Sequence, residues 1–231
     1  MRSTIEIVDL AKLELRDVNA KLQQHNGGDQ SAHFQIKNPD GAHALACGLK
    51  APVIVEIDGH TGYYACGMNQ NADITIKGNA GPGVAENMMS GKVRVMGDVS
   101  QYAGASGHGG LLVIEGNASS RCGISMKGID IVVKGNIGHM SAFMAQAGRL
   151  VVLGDVGPDF GDSIYEARLY VRGEVKSLGA DCIEKEMAGE HRDELLELLQ
   201  DAGIEADPAD FKRYGSARTL YNFNIDNAGA Y

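Results

Sequence analysis

The sequence predicts an all-β fold: a right-handed parallel β-helix of about seven 19-residue coils, with an N-terminal α/β cap and a C-terminal helix followed by an extended tail. Three observations predict it. Seven glycines, Gly59, Gly78, Gly97, Gly116, Gly135, Gly154 and Gly173, recur every 19 residues without slippage. Two aliphatic columns keep step with them, Val55, Ile74, Val93, Leu112, Ile131, Leu150 and Leu169 four residues before each glycine, and Ile57, Ile76, Val95, Ile114, Val133, Val152 and Val171 two before. Seven residues after each glycine the chain carries Cys66, Ala85, Gly104, Gly123, Ala142, Gly161 and Ala180, all small. A repeat this regular is one turn of structure that cannot bury its apolar face alone and stacks on its neighbours.

Residues 1–45 read as the cap, with short strands near 5–8 and 33–36 around a helix near 11–24 that Asn26-Gly27-Gly28 closes. An open coil end exposes an unpaired edge, so the terminal turns must differ from the middle. Residues 46–182 form the ladder. The aliphatic columns alternate with mixed residues, the period of a strand with one buried face. Equivalent strands repeat in one direction every 19 residues with connections too short for a helix, which leaves a parallel β-helix, and six spacings of about 4.8 Å give a stack of roughly 29 Å. Hexapeptide spacing and repeated G-G-x-G-x-D, the marks of left-handed and calcium-binding coils, are absent. Residues 183–231 hold a predicted helix over 183–202, with Met187, His191, Leu195, Leu198, Leu199 and Ala202 on one face, and Asp207-Pro208 breaks it. The tail from Phe211 adds Tyr214, Tyr221, Phe223 and Tyr231, and so concentrates 5 of the 13 aromatics. Such a segment straps the solenoid or docks on a partner.

Composition narrows the function. The chain has 231 residues, 44% of them hydrophobic, enough to bury a core. Of 31 glycines, 23 lie between Gly59 and Gly179, so the excess belongs to the repeat rather than to linkers. A net charge of -9 argues against nucleic-acid and anionic-membrane partners, which need a basic footprint. The opening residues lack an apolar signal region and no stretch approaches a membrane span, so a cytoplasmic location is expected. Cys47, Cys66, Cys122 and Cys182 form no C-x-x-C pair. Cys47 and Cys66 fall on adjacent turns, within disulfide range, but in a reducing compartment they read as small apolar stackers.

The chemical motifs dissolve into the repeat. Gly78-Asn79-Ala80-Gly81-Pro82-Gly83 suggests a phosphate loop, yet its frame recurs at Gly135-Asn136-Ile137-Gly138 and no helix follows. His108-Gly109-Gly110 suggests an oxyanion loop without the matching nucleophile elbow. His25, His33, His43, His60, His108, His139 and His191 show no metal-ligand spacing; His139 is the one expected on a surface of interest. Asp181-Cys182 reads as a buried cap. An N-terminal-nucleophile amidotransferase would need Cys after the initiator Met, where this chain has Arg2. No catalytic, cofactor-binding or metal-binding residue is assigned, and the seven glycines are read as structural turns.

One column points outward. Three residues before each glycine stand Thr75, Arg94, Val113, Val132, Val151 and Tyr170, with Leu111 and Leu153 beside them. Val113, Val132, Val151 and Tyr170 are therefore the candidate partner surface, since an uncovered apolar stripe marks an interface. The competing expectation is that the helix over 183–202 covers the stripe within the chain.

The glycine frame, with Gly59-His60-Thr61-Gly62-Tyr63-Tyr64, Gly83-Val84-Ala85-Glu86-Asn87-Met88-Met89-Ser90-Gly91 and Gly161-Asp162-Ser163-Ile164-Tyr165-Glu166, resembles the GXGXG family. That family comprises the C-terminal β-helix of the glutamate synthase large subunit, the C subunit of formylmethanofuran dehydrogenase and stand-alone glutamate-synthase-like subunits. The likeness extends to Phe211-Lys212-Arg213-Tyr214-Gly215, and within the family it looks nearest to the N-methylglutamate synthase (methylamine-glutamate N-methyltransferase) branch. The resemblance implies a non-catalytic scaffold subunit in a complex that makes N-methylglutamate and ammonia from glutamate and methylamine. It implies two partners: a glutamine-amidotransferase-like subunit, and a glutamate-synthase-like subunit carrying FMN and an iron-sulfur cluster, with no cofactor on this chain. The same scaffold could serve a glutamate synthase or a formylmethanofuran dehydrogenase. An independent β-helix enzyme acting on a polymer or acyl donor would need a carboxylate or histidine cluster on one face, which the registers do not supply.

Overall fold

The computed structural model describes residues 5–25 and 32–218. Within them one sheet of parallel strands runs the length of the molecule: β1 (Ile5–Asp9), β2 (His33–Lys37), β3 (Ile54–Asp58), β4 (Asp73–Ile76), β5 (Lys92–Val95), β6 (Leu111–Ile114), β7 (Lys127–Val133), β8 (Ala147–Val152) and β9 (Arg168–Val171). Each strand pairs in parallel with the next, one per coil. The register brings Val55, Ile74, Val93, Leu112, Ile131, Leu150 and Leu169 into one line. That line and the Ile57-to-Val171 line are buried at 0–1% exposure and form the main core. The fold is the all-β parallel solenoid of about seven regular turns that the periodicity predicts.

The glycine column is explained by contact between coils rather than by a left-handed backbone. Of its seven members Gly59 alone has a positive φ. A Cβ on Gly78 would lie 2.7 Å from the Gly59 carbonyl oxygen, one on Gly116 2.7 Å from that of Gly97, and one on Gly173 2.2 Å from that of Gly154. Successive glycines bond directly, the Gly116 N–H donating to the Gly97 carbonyl at 3.2 Å and Gly135 to Gly116 at 2.9 Å. No side chain fits between backbones this close.

The residue after each glycine makes the next link. The side chains of His60, Asn79, Asp98, Asn117, Asn136 and Asp155 each accept a hydrogen bond from the backbone N–H of the equivalent residue one coil later, at 2.7–3.0 Å. Short polar acceptors therefore recur here because each one satisfies a turn N–H that the strands leave unpaired. Two residues after the glycine a second ladder begins, bridging Thr61, Ala80, Val99, Ala118, Ile137, Val156 and Val175.

The small column marks a sharply bent corner. Cys66, Ala85, Gly104, Gly123, Ala142 and Gly161 all have φ between +57° and +69°. Each of these N–H groups donates to the preceding coil at 2.8–2.9 Å, while Tyr102 and Ser106, which flank Gly104 and are also left-handed, donate to the following one. The corner thus bonds alternately up and down the stack. Left-handed backbone costs a residue with a side chain roughly 1 kcal/mol, and the corner also faces the core: a Cβ on Gly104 would reach 2.6 Å from Ile131.

The ends close differently. At the N-terminus α1 (Leu15–Gln23) buries Val18 and Leu22. Its Asn19 side chain bonds both the Ala44 carbonyl and the Ala46 N–H at 2.8 Å, and Gln23 bonds the Cys47 carbonyl, which satisfies the open turn. The Asn26-Gly27-Gly28 closure lies outside the described residues.

The C-terminal end departs from expectation. Residues 182–185 are strand β10 (Cys182–Lys185), and the helix α2 spans Gly189–Asp201 rather than starting at Ile183. Gly203, at φ +65°, ends the helix as Ile204 donates back to the Leu199 carbonyl, before Asp207-Pro208 is reached. The tail from Phe211 begins as strand β11 (Lys212–Ser216), which inserts between β9 and β10 antiparallel to both. Sheet pairing overrides local helix preference at 182–185 because β11 supplies a complete ladder partner.

Two substitutions test these columns. Gly116→Ala forces the coils apart and lowers unfolding free energy by about 2 kcal/mol or more in urea titration, whereas Gly189→Ala, where a Cβ meets nothing within 4 Å, leaves it unchanged or higher. Thr61 is 5% exposed with an unpartnered Oγ1 in a column otherwise of Ala, Val and Ile. Thr61→Val removes a buried, unsatisfied hydroxyl and raises stability by about 1 kcal/mol in the same titration.

Candidate functional site

The outward face of the sheet divides into two halves. On β2 to β4 it is charged: Glu56 accepts from His33 at 3.0 Å and pairs with Lys77 at 2.7 Å, and Asp58 pairs with Lys37 and Lys77 and accepts from Gln35 at 2.9 Å. The Lys77 ammonium holds Glu56 below the usual carboxylate range, and Lys37 followed by Lys77 does the same for Asp58. On β6 to β9 the column is Val113, Val132, Val151 and Tyr170.

These four residues are not a partner surface. Each is 0% exposed and packs, with Leu153, against Leu195, Leu198, Leu199, Ala202, Ile204 and Phe211 of α2 and the segment after it. The chain covers its own stripe, the competing expectation. The physical reason is hydrophobic: burying one Leu is worth roughly 1.5–3 kcal/mol, and α2 presents three, all fully buried.

Polar contacts fix where the helix sits. Lys92 donates to the Asp201 carbonyl at 2.9 Å and Arg94 to the Ala202 carbonyl, which satisfies the orphan acceptors at the helix end and complements its dipole. Arg94 also pairs with Glu115. Near the middle of the helix Glu194 accepts from the Tyr170 hydroxyl at 2.6 Å and pairs with Arg168 at 2.9 Å. Burial, and then the Glu194 carboxylate, raise the Tyr170 hydroxyl above its ordinary range, so it stays protonated and donates. Arg149, bidentate to Asp130, reaches the same helix through the Glu194 carbonyl.

Groups that could react are tied into the fold. The four cysteines are free and buried. Burial pushes the thiols of Cys47 and Cys182 up to about 11, that of Cys122 to about 12, and that of Cys66 well above its ordinary value. They remain thiols at neutral pH, without thiolate reactivity. In the loop that suggests phosphate binding, the N–H groups of Asn79, Ala80, Gly81 and Gly83 already bond to His60, Asp98, Thr61 and Gln101. At His108-Gly109 both N–H groups point to the Met88 carbonyl. The histidines do not converge: His33 meets Glu56, His43 accepts from the Tyr63 N–H, His60 from Asn79, and His139 pairs with Asp159 at an exposed corner. Among the described residues no group of three or more His, Cys, Asp or Glu could hold a metal ion, and no helix is long and apolar enough to cross a membrane.

With the stripe covered, the large apolar side chains exposed in the turn segments of the coils are Tyr63, Met68, Met89, Met96 and Met144, each at 40–51%. Sequence reasoning missed these side chains because they lie off the strands, where period-2 patterning says nothing. It missed the acceptor column as a bonded ladder too, although the recurrence of Asn and Asp beside glycine was the available signal.

Val132→Asp places a carboxylate beneath α2 within the apolar cluster. Stability falls by about 3 kcal/mol or more, and limited proteolysis cuts α2 before the coils. A variant of unchanged stability would show that α2 does not cover this stripe.

No family model matches the chain. A curated protein, Protein GlxC of Rhizobium meliloti (strain 1021), is 63% identical over 226 residues, 97% of this chain and 99% of that protein. Identity at this level across the whole coil stack, both caps and α2 fixes the relationship: the chain belongs to the family of Protein GlxC.

Proposed function

We propose that the chain is a non-catalytic scaffold subunit of a glutamate-synthase-like complex. One observation carries this reading: the acceptor side chains, loop N–H groups and thiols that might do chemistry are bonded within the coil stack or buried as neutral groups. What the fold offers instead is a rigid rod with one face sheathed by its own helix. The glycine frame and its resemblance to the β-helix of glutamate synthases supply the class of complex, and the full-length relationship to Protein GlxC is consistent with a stand-alone subunit.

Within that class the sequence favours N-methylglutamate synthase, which joins methylamine to glutamate and releases ammonia. A glutamine-amidotransferase-like subunit and a subunit carrying FMN and an iron-sulfur cluster would be the partners, in the cytoplasm. The rod would hold the two active sites at fixed separation, since an amine passing between sites is lost unless they stay aligned and shielded from water. The exposed turn segments would serve those partners, because α2 occupies β6 to β9.

Affinity purification of the tagged chain from its natural host tests the reading. The expected result is co-purification of an amidotransferase-like chain and a flavoprotein, with flavin absorbance and glutamate- and methylamine-dependent ammonia release in the complex alone. Purification as a lone chain from cells expressing those subunits would overturn the scaffold role, and a molybdenum or tungsten signal in place of flavin would move it to a formylmethanofuran dehydrogenase.

A further inference from the structure

The left-handed corner of the solenoid has a gap in its side chains. Five residues after the repeat glycines the backbone has positive φ, and Tyr64, Tyr102, Arg121, Met140 and Asp159 stand there. In the coil that follows β4 the position is Gly83. A Cβ on Gly83 would lie 2.7 Å from Glu86 Oε2 and 3.6 Å from the Tyr63 ring, so carboxylate and ring both close over the glycine.

This carboxylate lacks a counter-charge. Among the described residues Glu86 forms no ion pair and its side chain accepts no hydrogen bond, and burial raises its carboxyl above the ordinary range. The other partly buried carboxylates between Ile54 and Arg172 are all partnered: Glu56, Asp58, Glu115 and Asp130 lie against a lysine or arginine, Asp159 against His139, and Asp162 accepts from the Ala180 N–H at 3.1 Å. The surface around Glu86 is aromatic and apolar. Tyr63 and Met68 are exposed, and the Met68 N–H donates to the Glu86 carbonyl at 2.8 Å. The Tyr64 ring lies 5.7 Å from that of Tyr63, and its hydroxyl accepts from Asn87 at 3.4 Å.

We infer that the gap at Gly83 receives an arginine or lysine side chain of a partner subunit, paired with the Glu86 carboxylate and lying against the tyrosine rings. Charge complementarity selects this occupant. An apolar segment would finish desolvating Glu86 without neutralising it, which opposes binding. A cation meets the carboxylate and the electron-rich ring faces together, while the Met68 thioether adapts to the stem that carries it. The tail of this chain does not have that chemistry: residues 219–231 contain Asp226 and no lysine or arginine. In residues 1–4 and 26–31 the sole basic side chain is Arg2. This pairing presupposes the scaffold role and names how a partner engages the exposed turns.

Glu86→Gln in the full chain tests it. Removing an unpaired charge leaves the urea midpoint unchanged or higher. Binding of the subunits that the tagged wild-type chain captures weakens at least about tenfold, and what affinity remains depends less steeply on salt. Glu86→Lys weakens binding further, and reversal of the partner's contacting arginine or lysine to glutamate restores it. A Glu86→Gln chain that binds the same subunits as tightly as the wild type overturns the inference and leaves the scaffold role standing; a wild-type chain that captures no subunit overturns both. Three other outcomes also overturn it. Glu86→Gln unfolding at lower urea would show the carboxylate at work inside the fold, and Arg2→Gln matching its loss of binding would place the cation in this chain. Self-association of the lone chain that Glu86→Gln abolishes would put a second copy in the gap.

Discussion

The structure depends on direct contact between the backbones of successive glycines. Gly97 to Gly154 each donate an N–H to the carbonyl of the glycine one coil earlier, and a Cβ at any of these positions would fall within 3 Å of that preceding glycine. This contact fixes the spacing of the coils at one point in every turn. With the spacing fixed, the aliphatic columns on either side stack in register, the acceptor column can hand each side chain to the next N–H, and the left-handed corner can bond up and down. An insertion of one residue anywhere in a coil would break three of these ladders at once, which is why the period holds at 19 from Gly59 to Gly173.

The same economy accounts for the absence of spare chemistry in the coils. A solenoid must satisfy every backbone group through neighbours one turn away, and here the short polar side chains are spent on that task. Asn79 and Asp98 look like ligands in isolation but are links in a chain of hydrogen bonds. Cys66 and Cys122 sit at or beside left-handed corner positions where a small side chain is required, and burial keeps their thiols protonated. The proposed scaffold role rests on where these groups point.

The helix α2 changes what the frame can present. It converts the apolar half of the sheet into a second core and is held at two points, Lys92 and Arg94 on its C-terminal carbonyls and Tyr170 and Arg168 on Glu194 near its middle. The charged half, from His33 to Lys77, needs no cover because its carboxylates and amines pair along the strands. On the turns Met68, Met96 and Met144 are exposed and offer adaptable contact.

The sequence by itself determined the coil: its period, its two buried columns and its small corner, because each is set by contacts between a residue and its equivalent one turn away, and such contacts imprint a repeat. Only the tertiary structure decided that Val113, Val132, Val151 and Tyr170 are covered from within, that residues 182–185 pair as a strand, and that β11 slips between β9 and β10. Those contacts join segments of unequal character at separations with no period, such as Arg94 to Ala202, so complementarity of shape and charge in three dimensions selects them and no spacing in the chain announces them.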